Sequence, residues 1–189
     1  MEAFYSMRGL FFLECEHFAD LGPARTPAPD PASYHALARY PDAEFQALVD
    51  RLAARAGLSR AEFLRRFGRH LFGRLVALFP VFFGGSGSVL DLLADFDRIV
   101  HDEVRRLGGL DPPHLECRRL GPDRVEVTYR SRRDLADLAE GLIQGCADHL
   151  GEPIELRRAP DPEPGCVRYR IRRVLEAPAS LAWSPATEA

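Results

Sequence analysis

The chain has 189 residues, 46% hydrophobic and 28% charged, a globular composition that excludes wholesale disorder and fits one domain. Its net charge of -3 excludes a general nucleic-acid binder, which needs a basic surplus to displace counterions from phosphates. All 25 basic residues are arginine, so Schiff-base lysine chemistry is excluded as well.

In chain order, Met7 to Asp20 reads as a short apolar helix, and Pro23 to Pro31 (PARTPAPDP) as a proline-rich loop that cannot hold one. Asp42 to Ala56 reads as a helix with Phe45, Leu48, Val49 and Leu52 on one face and Gly57 past its end. Ser59-Arg60-Ala61-Glu62 is a capping box for the next helix, which carries Phe63, Phe67, Leu71, Phe72 and Leu75 and is stopped by Pro80. Gly84 to Gly87 is a turn, and Ser88 caps a helix to about Leu107. After Pro112-Pro113 the period changes from helical to alternating. His114 to Leu120 and Arg124 to Ser131 form a hairpin across Gly121-Pro122-Asp123. Asp134 to Leu150 is amphipathic and helical, and Pro153 to Arg157 and Val167 to Val174 are two more strands. Helices first, then strands around one helix, make the fold class α+β, with one domain over residues 1–176 and a flexible tail over 177–189.

Cys15, Cys117, Cys146 and Cys166 form no CxxC pair and read as reduced thiols of a cytoplasmic protein. No signal peptide is recognisable, and no stretch approaches the roughly 18 apolar residues of a membrane helix.

Three features bear on chemistry. Along an extended Tyr129-Arg130-Ser131-Arg132-Arg133, the side chains of Tyr129, Ser131 and Arg133 share one face. Two hydroxyls and a guanidinium fork suit a carboxylate or a phosphate; a strand end with ordinary surface arginines reads the same way. His101 lies at the margin of the stripe Val89, Leu93, Phe96, Val100, Val104 and Leu107, a setting for either an axial metal ligand or a hydrogen-bonded core histidine. Phe11, Phe12, Leu71, Phe72, Leu75, Leu138 and Leu142, on three predicted helices, pack a core or wall a large flat ligand. The other five histidines lack metal-site spacing, GGSG lacks the lysine of a phosphate loop, and no nucleophile–base arrangement is recognisable, so the chain is not read as an enzyme.

Together these residues resemble the haem-nitric oxide/oxygen binding (H-NOX) family, bacterial relatives of the haem domain of soluble guanylate cyclase. The match runs from Met7 to about Val174 through FGRHLFGRLVALFPVFF, DFDRIVHDEVRRL, PPHLEC, YRSRR and DLADLAEGLIQGCADHLGEPIEL. The resemblance implies an H-NOX-like fold, a helical part followed by a four-stranded antiparallel sheet, with haem b (iron protoporphyrin IX) between them. It makes His101 the proximal iron ligand, Tyr129, Ser131 and Arg133 the holders of the propionates, and Pro113 the residue pressing on the porphyrin. Burying roughly 400 Å² of porphyrin contributes about 10 kcal/mol at ~25 cal/mol/Å². Each charge-assisted hydrogen bond contributes about 1.5–3 kcal/mol, so burial dominates affinity and the polar cluster sets orientation.

The aligned distal positions are Phe11, Cys15, Leu71, Leu138 and Leu142, with Leu138 where oxygen-binding members carry a tyrosine, and Leu75 is a further residue of the haem pocket. The resemblance therefore implies a ferrous, five-coordinate haem that binds NO and CO but holds no stable O₂. NO weakens the iron bond trans to it, and release of His101 would shift its helix against the strands. A chain of this length has no room for an output domain, so signalling is expected in trans, to a histidine kinase or a cyclic-di-GMP enzyme. Two departures stand out: PARTPAPDP replaces longer helical segments, and of the zinc ligands some members carry, only Cys166 matches, so no structural zinc is expected. The rival reading is a haem-free interaction domain that keeps the fold and regulates a signalling partner.

Overall fold

The structure, a computed structural model, describes residues 6–21, 34–83, 87–96, 113–161 and 163–174. The Pro23–Pro31 loop, His101 with the end of its predicted helix, and the tail from Ala177 lie outside the described residues.

The first described residues are a strand, Ser6–Arg8 (β1), rather than the start of the expected helix. Their backbone pairs antiparallel with Arg39–Pro41 (β2), a partner 33 residues away in the register Met7↔Tyr40 and therefore invisible to local periodicity. Helix Gly9–Asp20 (α1) follows at once. Helix Asp42–Arg55 (α2) buries Phe45, Leu48, Val49 and Leu52, the predicted face.

Helix Arg60–Leu78 (α3) begins where Ser59 Oγ accepts from the Glu62 amide at 3.2 Å. The Glu62 carboxylate accepts from Arg65 and Arg66 (3.2 and 2.7 Å), so it is the serine half of the capping box that forms. Pro80 ends α3 for want of an amide proton and starts one 3₁₀ turn, Pro80–Phe82. Ser88 then accepts from the Asp91 amide (3.2 Å) and caps a helix over residues 89–96 (α4).

Strands His114–Gly121 (β3) and Arg124–Arg130 (β4) form the expected hairpin. Helix Ala136–Leu150 (α5) starts two residues later than its periodicity predicts, because residues 132–134 are taken up by a bend, and it ends on Gly151 in the left-handed region (φ 64°). Strands Ile154–Pro160 (β5) and Cys166–Arg173 (β6) complete an antiparallel sheet of order β3-β4-β6-β5. The architecture is the expected helical part followed by a four-stranded antiparallel sheet.

On β4, Val125, Val127 and Tyr129 face inward and pack with Tyr169 and Ile171 of β6. On the outer face Glu126 sits directly between Arg118 and Arg170, its register partners on either side, and accepts 3.0 Å hydrogen bonds from both. Helices α3 and α5 approach backbone to backbone: a Cβ on Gly141 would collide with the Arg65 carbonyl, and one on Gly68 with that of Leu138. Among the described residues, no helix is long and apolar enough to cross a membrane.

Candidate functional site

A cavity of about 300 Å³ lies between the helices and the inner face of the sheet, within the range of small-molecule sites. Its walls are apolar: Phe11 from α1, Phe72 and Leu75 from α3, Leu92, Leu93 and Phe96 from α4, Leu138 and Leu142 from α5, and Leu115 and Val127 from the sheet. Leu93 and Phe96 of the predicted stripe beside His101 line the cavity, whereas Val89, its first residue, packs with Phe72, Leu92 and Cys146 in the core.

The polar part of the lining includes Tyr129, Ser131 and Arg133. Tyr129 is buried on β4. Burial pushes its phenol above the ordinary value, opposed by a hydrogen bond with Ser131 and by the Arg133 charge, so it stays protonated at neutral pH. Ser131 is the first residue past β4, and its Oγ accepts from the Arg133 amide at 3.0 Å. The three side chains thus reach one cavity through a serine-held turn, where the alternation of a continuous strand had been expected. Arg133 Nε donates to Asp42 Oδ2, the first residue of α2, at 2.6 Å. The lining also includes Arg8 from β1; among the described residues, Arg8 and Arg133 are its charged members, and it holds no carboxylate.

Of the residues expected at the site, Phe11, Leu75, Pro113, Tyr129, Ser131, Arg133, Leu138 and Leu142 line this cavity, although they come from five separate parts of the chain. Cys15 and Leu71, both fully buried, pack with Phe12 and Phe67 in the helical core and do not line it. Burial also pushes the Cys15 thiol up. His101 lies outside the described residues.

Sequence reasoning missed Arg8, Cys146 and Tyr169. Arg8 looks like any other arginine of an arginine-rich chain, while Cys146 and Tyr169 sit in periodic runs that read as core. The Tyr169 hydroxyl is committed, donating to the Ala136 carbonyl at 2.6 Å. Burial pushes the Cys146 thiol up to about 12, so it stays protonated, a weak donor only. Around Cys166, the ligand atoms of Asp161, Glu163 and Cys166 lie within 4.8 Å of one another, and Asp161 and Glu163 pair with Arg168 and Arg130 (2.7 and 3.2 Å).

A family model described as haem-NO-binding matches residues 27–158. Among solved structures, an H-NOX protein from S. oneidensis in its Fe(II)NO ligation state superposes with a TM-score of 0.79 at 21% identity, covering 89% of this chain and 100% of that one. A point mutant of the T. tengcongensis H-NOX gives 0.77 at 21% identity over 92% and 100%. The Fe(II) unliganded H-NOX protein from K. algicida gives 0.75 at 18% identity over 89% and 97%. At such identities the likeness is one of fold. No curated protein matches the sequence.

Proposed function

The chain belongs to the haem-NO-binding family, and on that premise we propose that its cavity binds haem b and that the protein is a nitric oxide sensor acting on a partner enzyme. The donor set of the cavity fits this group. A porphyrin plate needs apolar walls, and its two propionates need cations and hydroxyl donors. Among the described residues, the cavity has aliphatic and aromatic walls, two arginines, Tyr129, Ser131 and no acid. That combination is the observation that carries the reading. When bound, haem supplies an iron with one coordination position for a gas.

The chain's own residues take the remaining roles. His101 is the iron ligand, five positions beyond Phe96 of the cavity wall. Tyr129, Ser131 and Arg133 hold a propionate and set the orientation of the plate. Pro113 lies at the cavity where it would press on the ring. Phe11, Leu75, Leu138 and Leu142 offer a gas no hydrogen bond, and the Tyr169 proton is engaged with Ala136. Stable retention of dioxygen needs a donor beside it; NO and CO do not. The pocket is therefore selective for NO and CO. The output passes in trans to a histidine kinase or a cyclic-di-GMP enzyme in the cytoplasm.

An absorption spectrum of the purified protein with added haem tests this. A Soret band that moves on adding NO supports the sensor. A protein that takes up no haem is instead the haem-free interaction domain.

A further inference from the structure

A flat apolar ligand with two carboxylates needs more than one cation in its pocket. Among the described residues, the charged members of the cavity lining are Arg133 and Arg8. Asp42 already draws on the charge of Arg133 through a 2.6 Å ion pair between largely buried side chains (16% and 11% exposed), so this guanidinium alone cannot balance two more carboxylates. Among the described residues Arg8 is the other cation on the wall, and it comes from a different element, β1, next to the wall residue Met7 and one turn before Phe11.

Its placement is firm. Nη1 of Arg8 donates to the Leu37 carbonyl at 2.6 Å, a bond that orients the guanidinium. The backbone on either side is locked. Arg8 pairs with Arg39 across the β1–β2 ladder, and the Gly9 amide donates to the Ala38 carbonyl at 2.9 Å. A Cβ on Gly9 would collide with the carbonyl of His35, so the corner between β1 and α1 is packed without slack.

We infer that Arg8 binds one carboxylate of the cavity's ligand while Tyr129, Ser131 and Arg133 bind the other. The site is a two-anchor clamp for a flat dicarboxylate, with one anchor on the helical half of the molecule and one at the end of β4. This rests on the haem-binding reading above. A clamp of this kind makes affinity depend on both carboxylates, because each anchor contributes a charge-assisted hydrogen bond of its own.

The test is a titration of the apo-protein with iron protoporphyrin IX and with its dimethyl ester, followed at the Soret band, for the unsubstituted chain, Arg8→Ala and Arg8→Lys. The expected result is a loss of about tenfold in affinity for the diacid in Arg8→Ala, equal to about 1.4 kcal/mol, with affinity for the diester unchanged. Arg8→Lys, which keeps the charge, should recover most of the loss. If Arg8→Ala binds the diacid as tightly as the unsubstituted chain, or loses diacid and diester alike, the role of Arg8 is overturned while haem binding stands. If the unsubstituted chain takes up neither porphyrin, the haem reading falls and the clamp with it.

Discussion

Arg133 donates from Nε to Asp42 Oδ2 at 2.6 Å and so ties the turn after β4 to the first residue of α2, 91 positions earlier. The contact joins the two halves of the molecule at the cavity. Asp42 suits its place twice over, since an acid in the first turn of a helix also meets the positive end of the helix dipole. Replacing Asp42 with Ala should leave a largely buried guanidinium charge without this partner and cost about 2 kcal/mol, less than the ~3–5 kcal/mol of a fully buried pair. Chemical denaturation of the two proteins measures it. An unchanged midpoint would show that the pair contributes nothing to holding the halves together.

Leu138 lines the cavity from α5 with almost no solvent exposure. Leu138→Tyr should place a hydroxyl donor among the apolar wall residues Phe11, Leu75 and Leu142, which offer none. The expected outcome is a stable oxygenated spectrum in air for the variant and none for the unsubstituted protein. Identical behaviour of the two in air would remove the lack of a donor as the reason for gas selectivity.

His101→Ala should alter the reduced spectrum before any gas is added and abolish the gas-dependent signal to the partner, because it removes the residue proposed to hold the iron, while Tyr129, Ser131 and Arg133 remain to hold the porphyrin. Added imidazole should restore a histidine-like spectrum. A variant whose reduced spectrum matches the unsubstituted protein would place the iron ligand elsewhere.

Glu126 sets an acid limit on stability. Hydrogen bonds from Arg170 and Arg118 hold its carboxyl below the ordinary value of 4.5. A carboxyl lowered in the folded state contributes stability that is fully present above its unfolded value and is lost as pH falls through the folded one. Melting temperature should therefore decline below about pH 4.5, and Glu126→Gln should start lower at neutral pH and decline less. Parallel acid profiles for the two proteins would contradict this.

Gly141 lies where α5 meets the backbone of α3. Gly141→Val should push the helices apart at a cost of about 1–3 kcal/mol, typical of overpacking. Since Leu75 and Leu142 line the cavity from these two helices, haem affinity should drop as well. Thermal melting combined with a haem titration measures both effects, and a fully stable variant with normal haem uptake would show that the close crossing is dispensable.

Much of the fold was legible in sequence order alone. The face Phe45, Leu48, Val49 and Leu52, the Ser59 and Ser88 caps, the Pro80 stop and the hairpin across Pro122-Asp123 depend on neighbours within a turn or two, and each stands as read. So did the composition of the pocket: apolar positions at helical spacing on α3 and α5, and Tyr129, Ser131 and Arg133 at alternate positions. Periodicity names the buried side of a helix but not what it is buried against. Cys15 and Leu71 have the same spacing credentials as Leu75 and Leu142, yet the packing of α1, α3 and α5 puts the first pair in the helical core and the second on the cavity wall. The strand at Ser6–Arg8, the placing of Arg8 on the same cavity as Tyr129, and the bond from Arg133 to Asp42 all depend on partners tens of residues away. Such pairings are decided by how whole elements pack, because only the folded chain brings those charges and carbonyls within a hydrogen bond's reach.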